Sequence, residues 1–184
     1  TAVAFDYIQD ESGSFPIVRS MSEIAGTSAI LIAAELLSSS AGGRGVLMGG
    51  IAGVSPTQVV IIGAGTVAEF AARSAMALGA SVQVFDNSIA RLRRIQSDLN
   101  LRVATSILQP KVLEKALKRA DVAIGALRAE SGRTPCVITE EMVQKMKSKA
   151  VIVDVSIDQG GCFETSEITN HETPTFTKHD VIHY

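Results

Sequence analysis

An α/β fold, one parallel sheet wound by helices on both faces, is what this sequence predicts. Three observations predict it: the β-branched run Val59-Val60-Ile61-Ile62 that stops on Gly63-Ala64-Gly65, an amphipathic helix that follows at once, and a second strand over residues 81–86 that closes on Asp86. A continuous apolar run of this length, bounded by turn residues, fits a strand buried on both faces, as in a parallel sheet. Strand, glycine corner, helix, second strand and terminal acid, in that order, make the first unit of a Rossmann-type doubly wound sheet, here in a single domain.

Each part of that unit has a physical task. Gly63 can take the backbone angles of the tight turn, and Gly65 carries no side chain, so a pyrophosphate can approach the main chain. The free N–H groups of the helix start, reached through Ala64, Thr66 and Val67, and the positive end of the helix dipole favour an anion there without a basic side chain. Ala68 stands where the fingerprint has its third small residue. Along the helix, Val67, Phe70, Ala71, Ser74, Ala75 and Leu78 form the predicted inner face, Glu69 and Arg73 an outward pair, and Gly79 the stop. Asp86 lies 23 residues after Gly63, near the spacing of about 20 at which an acid accepts hydrogen bonds from the adenosine ribose. A carboxylate there repels a 2′-phosphate, so NAD is the predicted cofactor rather than NADP. Asn87, beside it, joins the cofactor-binding candidates.

The flanking elements follow in order. Residues 1–8 have strand character and residues 10–14 read as a polar turn. Ser20 and Glu23 have capping-box spacing, which predicts a largely apolar helix from there to about Ser38, buried on more than one side as a domain connector or subunit contact. Residues 41–53 are glycine-dense. No Lys-Ser/Thr follows the Gly45 to Gly50 spacing, which removes a Walker A loop and leaves a short hairpin. Asn87 or Ser88 caps a helix with Ile89, Leu92, Ile95 and Leu99 inward; its Arg91, Arg93 and Arg94 read as a solvated face, with one arginine near the ribose. Residues 102–105 form a third strand, Pro110 opens a helix, and residues 121–126 form a fourth strand ending on small residues, with Ala126 making room for a ligand. After a polar loop over 128–135, Thr139 caps a short helix, and residues 150–156 form a fifth strand. Asp158 then precedes Gly160 and Gly161: a functional acid at a strand end, or the cap of a glycine turn. Residues 163–180 are polar, and residues 181–184 close the chain as a last strand.

Composition narrows the function classes. At 184 residues and 19.4 kDa the chain holds one well-buried core. A net charge of −2 and 4% aromatic residues disfavour nucleic acid as a partner. No run reaches the ~18 uninterrupted apolar residues of a membrane span and no signal peptide is visible, so no membrane anchor is predicted. Cys136 and Cys162, far apart and outside any CxxC, point to a reducing cytoplasm. His171, His179 and His183 match no familiar ligand spacing with Cys162, so no metal site is predicted. The chain starts on Thr1 inside a predicted strand, as a piece of a longer protein would. Residues 1–20 are expected to be the end of a preceding domain or a linker, and residues 21–184 the dinucleotide domain.

Taken together the segments resemble the NAD-binding domain of the alanine dehydrogenase family, which includes the related domain of proton-translocating nicotinamide nucleotide transhydrogenase. The resemblance is carried by Met21-Ser22-Glu23-Ile24-Ala25-Gly26, Gly42-Gly43-Arg44-Gly45-Val46-Leu47-Met48-Gly49-Gly50, the Gly63 corner, Thr139-Glu140-Glu141-Met142-Val143 and Val153-Asp154-Val155-Ser156-Ile157-Asp158-Gln159-Gly160-Gly161-Cys162-Phe163-Glu164. It implies that Ser22 contacts the cofactor, that Asp86 and Arg91 hold the ribose, that Leu127 and Ile157 lie along the nicotinamide half, and that Asp158 is the active-site aspartate. It also implies NAD-dependent oxidative deamination of L-alanine, a small amino acid or keto acid held through another domain, and a homo-oligomer. The block around Asp158 looks like the dehydrogenase; the corresponding transhydrogenase segment lacks that acid. A transhydrogenase hydride-transfer domain, a saccharopine-type dehydrogenase and a non-enzymatic NAD-sensing module are the other readings. Residues 128–132 depart from the shorter, more apolar loop of the family. The family's substrate-binding Arg and Lys and its catalytic His precede Thr1 and its last cofactor loop follows Tyr184, so the chain alone is expected to hold NAD incompletely and not to turn over alanine.

Overall fold

The computed structural model describes residues 4–99, 103–128 and 132–184. The sequence readings for residues 1–3, for Arg102 in the third strand and for residues 129–131 of the polar loop lie outside them. Twelve helices and strands organise the described chain: α1 (Pro16–Leu36), β1 (Gln58–Ile62), α2 (Thr66–Ala77), β2 (Ser81–Phe85), α3 (Ile89–Leu99), β3 (Ala104–Ser106), α4 (Pro110–Leu117), β4 (Val122–Gly125), α5 (Glu140–Gln144), β5 (Val151–Asp154), β6 (Phe176–Lys178) and β7 (Val181–His183). They form a seven-stranded sheet in the order β3-β2-β1-β4-β5-β7-β6, parallel throughout except that β6 runs antiparallel to β7.

The strand pattern explains the two-sided core. Along β1, Val59 and Ile61 face one hydrophobic cluster and Val60 and Ile62 the other, because side chains alternate across a strand. Residues of α1, α2 and α3 cover the first face, and residues of α4 and α5 the second. Each fully buried Val or Ile on these strands contributes about 1.5–3 kcal/mol of apolar transfer, offset by ordering. The chain reverses direction about β1, with β2 on one side and β4 on the other. A crevice therefore opens at the carboxyl ends of the central strands.

Several expectations are corrected. The described part of the predicted N-terminal strand, residues 4–8, forms no strand: Phe5–Tyr7 is a single exposed 3-10 turn with no sheet neighbour. Helix α1 starts at Pro16, not at the Ser20 capping box. Proline at the first helical position presets the backbone, so Ser20 donates to the Pro16 carbonyl from inside the helix and Glu23 pairs with Arg19 at 3.1 Å. The helix runs unbroken across residues 20 and 21. By length and composition α1 could cross a membrane, but Ala29, Ile30 and Ala33 bury one of its faces against the domain.

The inner face of α2 is made of alanines. Ala68, Ala71, Ala72 and Ala75 are buried, whereas Leu78, just past the helix end, is 45% exposed. The reason is α1, which comes so close that a Cβ on Gly26 would stand 2.3 Å from the Val67 carbonyl oxygen. The Glu69–Arg73 pair forms at 3.0 Å but Glu69 is buried, because Arg73 also donates to the Asp98 carbonyl and ties the pair to α3. Ile89 is also exposed, one turn before the buried stripe of Leu92, Ile95 and Leu99. The glycine-dense stretch is mostly irregular, with one antiparallel bridge between Ile51 and Val54, and its Arg44 reaches Asp121 at the foot of the sheet, 3.8 Å away. The antiparallel edge β6 was hidden in sequence by polar residues, since an edge strand of three residues needs little apolar character.

Candidate nucleotide site

The corner after β1 is held from three directions. Gly63 has φ 113°, and a Cβ on it would meet the Ala126 carbonyl oxygen at 2.3 Å, so only glycine fits where the corner presses on the end of β4. The Gly63 N–H donates to the Phe85 carbonyl at 2.7 Å, and the Ala126 N–H to the Ile62 carbonyl at 2.8 Å. The peptide of Ala64 is gripped at both ends: its N–H donates to Asp86 Oδ2 at 2.8 Å and its carbonyl accepts from Arg94 Nη2 at 3.0 Å. Beyond it Gly65 is the N-cap of α2. No side chain caps the helix there, and nothing stands within 4 Å of where a Gly65 Cβ would be. An uncapped helix start beneath open space is a ready anion seat.

Asp86 is 4% exposed, and its other oxygen accepts the Ser88 N–H at 2.7 Å. Its carboxylate thus points back toward the glycine corner, as a ribose-binding acid must, and each oxygen keeps further lone pairs for hydroxyl donors. Ser88 is the helix cap, since its Oγ accepts the Arg91 N–H. Asn87 turns its Oδ1 to the Leu108 N–H, and is not among the residues lining the cavities described next.

Two cavities meet along this edge of the sheet. One, of about 470 Å³, is bordered by Gly65, Thr66, Asp86, Arg91 and Arg94. The other, of about 550 Å³, is bordered by Tyr7, Met21, Val155, Ser156 and Asp158. They share a wall of Phe15, Ser22, Val67, Ala126, Leu127 and Arg128. The sequence-predicted residues Ser22, Gly65, Thr66, Val67, Asp86, Arg91, Ala126, Leu127 and Asp158 therefore line one continuous cleft, with Gly63 and buried Ala64 shaping the corner behind it.

Asp158 stands exposed on a 3-10 turn, Ile157–Gln159, after β5. Both feet of that turn are pinned by one buried side chain, Asp154. Its Oδ1 accepts the Ser156 N–H at 3.1 Å, and its Oδ2 accepts the Cys162 N–H at 2.9 Å, the Phe163 N–H at 3.3 Å and the Ser166 hydroxyl at 2.8 Å. Ser156 Oγ donates to the Leu127 carbonyl at 2.7 Å, tying the turn to the end of β4. Ile157 is half-buried and stays outside the cavity linings, with its Cδ1 3.1 Å from where a Gly161 Cβ would lie; Val155 and Ser156 take the lining positions instead. Burial pushes the Cys162 thiol well up, with the neighbouring Asp154 charge adding to it, so this cysteine is a protonated core group. His183 is a core residue bonded to Thr165, and His179 pairs with Glu140 on the surface.

Three site residues escaped the sequence reading. Arg94 lies three positions after Arg91, one turn along the same helix face, a spacing that would have set it toward the corner had the cluster not been read as solvated. Arg128 was read only as loop. Asp154 carried no local signal separating it from Asp158.

The chain matches the family model "Alanine dehydrogenase/PNT, C-terminal domain" over residues 29–184. It belongs to that family. The family's C-terminal domain is a dinucleotide-binding domain, and the corner, Asp86 and the cleft fit such a ligand: open space over an uncapped helix start for the diphosphate, and an inward-aimed carboxylate for the sugar. The chain is 46% identical to an alanine dehydrogenase of Mycolicibacterium smegmatis and 44% identical to one of Mycobacterium tuberculosis, in each case across 100% of this chain and 50% of the relative. A solved L-alanine dehydrogenase superposes with a TM-score of 0.94 at 39% identity, covering 100% of this chain and 51% of the other. A transhydrogenase from Sinorhizobium meliloti, 22% identical with a TM-score of 0.76 over 91% of this chain and 47% of its own, shares the fold. The chain spans about half the length of the curated relatives it matches.

Proposed function

We propose that this chain is the NAD(H)-binding half of an L-alanine dehydrogenase-like oxidoreductase. The reaction is L-alanine, NAD⁺ and water giving pyruvate, ammonium, NADH and a proton, with the amino acid held through residues of the other half. The observation that supports the reading is the continuity of the cleft, which runs from Asp86 at an end that suits an adenosine ribose to the Asp158 carboxylate lining the other end. Bound NAD supplies the hydride acceptor. The chain does the rest by position. The start of α2 holds the diphosphate through its N–H groups, and Asp86 accepts from the ribose hydroxyls and disfavours a 2′-phosphate. Ala126 and Leu127 form an apolar wall along the nicotinamide half. Asp158 stabilises the positive charge on the substrate nitrogen as it becomes an iminium, and orders the water that attacks it.

The free thiols of Cys136 and Cys162 support a cytoplasmic location. Exposed Met21, Ile24 and Leu31 on α1 support assembly as a homo-oligomer. The test is Asp158→Asn in the full-length protein: turnover of alanine, followed by NADH absorbance, falls far more than NADH affinity. Equal activity of the variant removes Asp158 from the reaction, and a wild-type protein that reduces no NAD with alanine removes the function.

A further inference from the structure

Arg128 sits three residues beyond β4 and is the only cation among the described residues that borders both cavities. Its neighbours on the shared wall are the first turn of α2 at Val67 and the helix face of α1 at Ser22. No hydrogen bond or ion pair commits its guanidinium to another described residue, whereas Arg94 is bound to the Ala64 carbonyl and Asp98, and Arg73 to Glu69. The side chain is exposed and long enough to sweep the mouth where the two cavities join.

That junction is the part of the cleft with the strongest call for positive charge. A dinucleotide with its ribose at Asp86 and its reactive end toward Asp158 must lay its diphosphate across the shared wall, over the start of α2. The helix supplies fixed N–H donors and a partial charge from below. Among the described residues, no other cation borders both cavities to supply a full charge from above. A guanidinium does so with a planar fork that matches two phosphate oxygens.

We propose that Arg128 closes over the diphosphate of the bound dinucleotide, as the second half of a clamp whose first half is the N-terminus of α2. The proposal rests on the dinucleotide reading above. The rival occupant of the guanidinium is the carboxylate of the amino acid in the Asp158 cavity, and the experiment separates the two. In the full chain, calorimetry measures NADH and ADP binding, and competition measures adenosine, for the wild type, Arg128→Ala and Arg128→Lys. The Ala variant should bind NADH and ADP about tenfold more weakly, the loss of one charge-assisted contact at a partly solvated site. Adenosine, which has no phosphate, should bind all three proteins equally, and Arg128→Lys should recover part of the loss. Raising salt from about 50 to 300 mM should weaken the wild type more than the Ala variant, because the missing charge no longer contributes.

Equal NADH affinity in wild type and Arg128→Ala overturns the proposal and leaves the dinucleotide reading standing. So does a loss shared equally by adenosine, which would show a distorted pocket rather than a phosphate contact. Unchanged NADH binding with a raised KM for the amino acid in the full-length enzyme assigns the guanidinium to the substrate and also overturns it. A wild-type chain that binds no NADH overturns both.

Discussion

Gly63 and Gly65 stand two residues apart in one motif, yet the structure gives them opposite sensitivities to the same change. At Gly63 an alanine would have to adopt φ 113° with its methyl 2.3 Å from the Ala126 oxygen and 2.6 Å from the Ala126 carbon, both backbone atoms at the end of a central strand. Strain at a positive φ and overpacking against an unyielding neighbour together cost roughly 3 kcal/mol. For a chain of this size that lowers Tm by about 6–12 °C. At Gly65 the φ is −84° and the space is open, so an alanine fits without strain and gains about 0.4–1 kcal/mol from a less flexible unfolded chain. The methyl would instead fill the path by which a diphosphate reaches the helix start, weakening NADH binding about 10- to 100-fold. Thermal unfolding and NADH titration of the two variants, side by side, make the assay. A Gly65→Ala protein that binds NADH as well as wild type refutes the assignment of the helix start to the diphosphate, and one that is unstable refutes the open space above it. A Gly63→Ala protein of unchanged Tm refutes the steric argument.

Two further outcomes follow from buried polar groups. Asp86→Ala should weaken NADH binding and narrow the preference over NADPH, and it should lower stability by about 1–3 kcal/mol because the Ala64 N–H loses its acceptor inside the protein. Unchanged calorimetric affinities for both nucleotides would refute the ribose role. His183 is held neutral by burial, which moves its pKa down from the ordinary histidine value near 6.5. The unfolded chain takes up that proton first, so this contribution to stability is intact above about pH 6.5 and is lost as pH falls toward and through the lowered folded value. Urea midpoints measured from about pH 7.5 to 5 should fall with a component that His183→Gln removes, and identical pH profiles would exclude it.

The parts of the fold that could be read from sequence are those with local causes. The β1 run, the glycine corner, the strand ending before Asp86 and the Thr139 cap each depend on residues within a turn of one another, and each appears where expected. What escaped depends on partners distant in sequence. The alanine face of α2 is set by how closely α1 approaches at Gly26, and the burial of Glu69 by a carbonyl on α3. The strand expected at the N-terminus had the right residues, but its described part, residues 4–8, has no strand beside it. The site divides the same way. Asp86 and the corner announce themselves by spacing, while the cleft connecting them to Asp158 exists only once β5 lies beside β4 and β4 beside β1.

Asp154 and Asp158 show most clearly what geometry adds, because four residues apart in one motif they are the same chemical group with opposite fates. Asp154 ends a strand buried on both sides, so its carboxylate cannot reach water and must be satisfied where it lies. The backbone provides for this by curling residues 156–166 around it, three N–H groups and the Ser166 hydroxyl converging on two oxygens. At the opposite end of the sheet Asp121 answers the same demand differently, taking one backbone N–H from Gln58 together with the ammonium of Lys147 at 2.7 Å. A cation at Asp154 would have neutralised the acid but left the turn unheld. N–H donors do both, because each hydrogen bond that stabilises the charge also fixes a point of the loop. The turn so fixed carries Asp158 past the strand end and into the cavity with its own oxygens uncommitted to the backbone. The buried acid is therefore the reason the exposed one has a defined position: Asp154 holds the turn, and the turn holds Asp158 at the cavity.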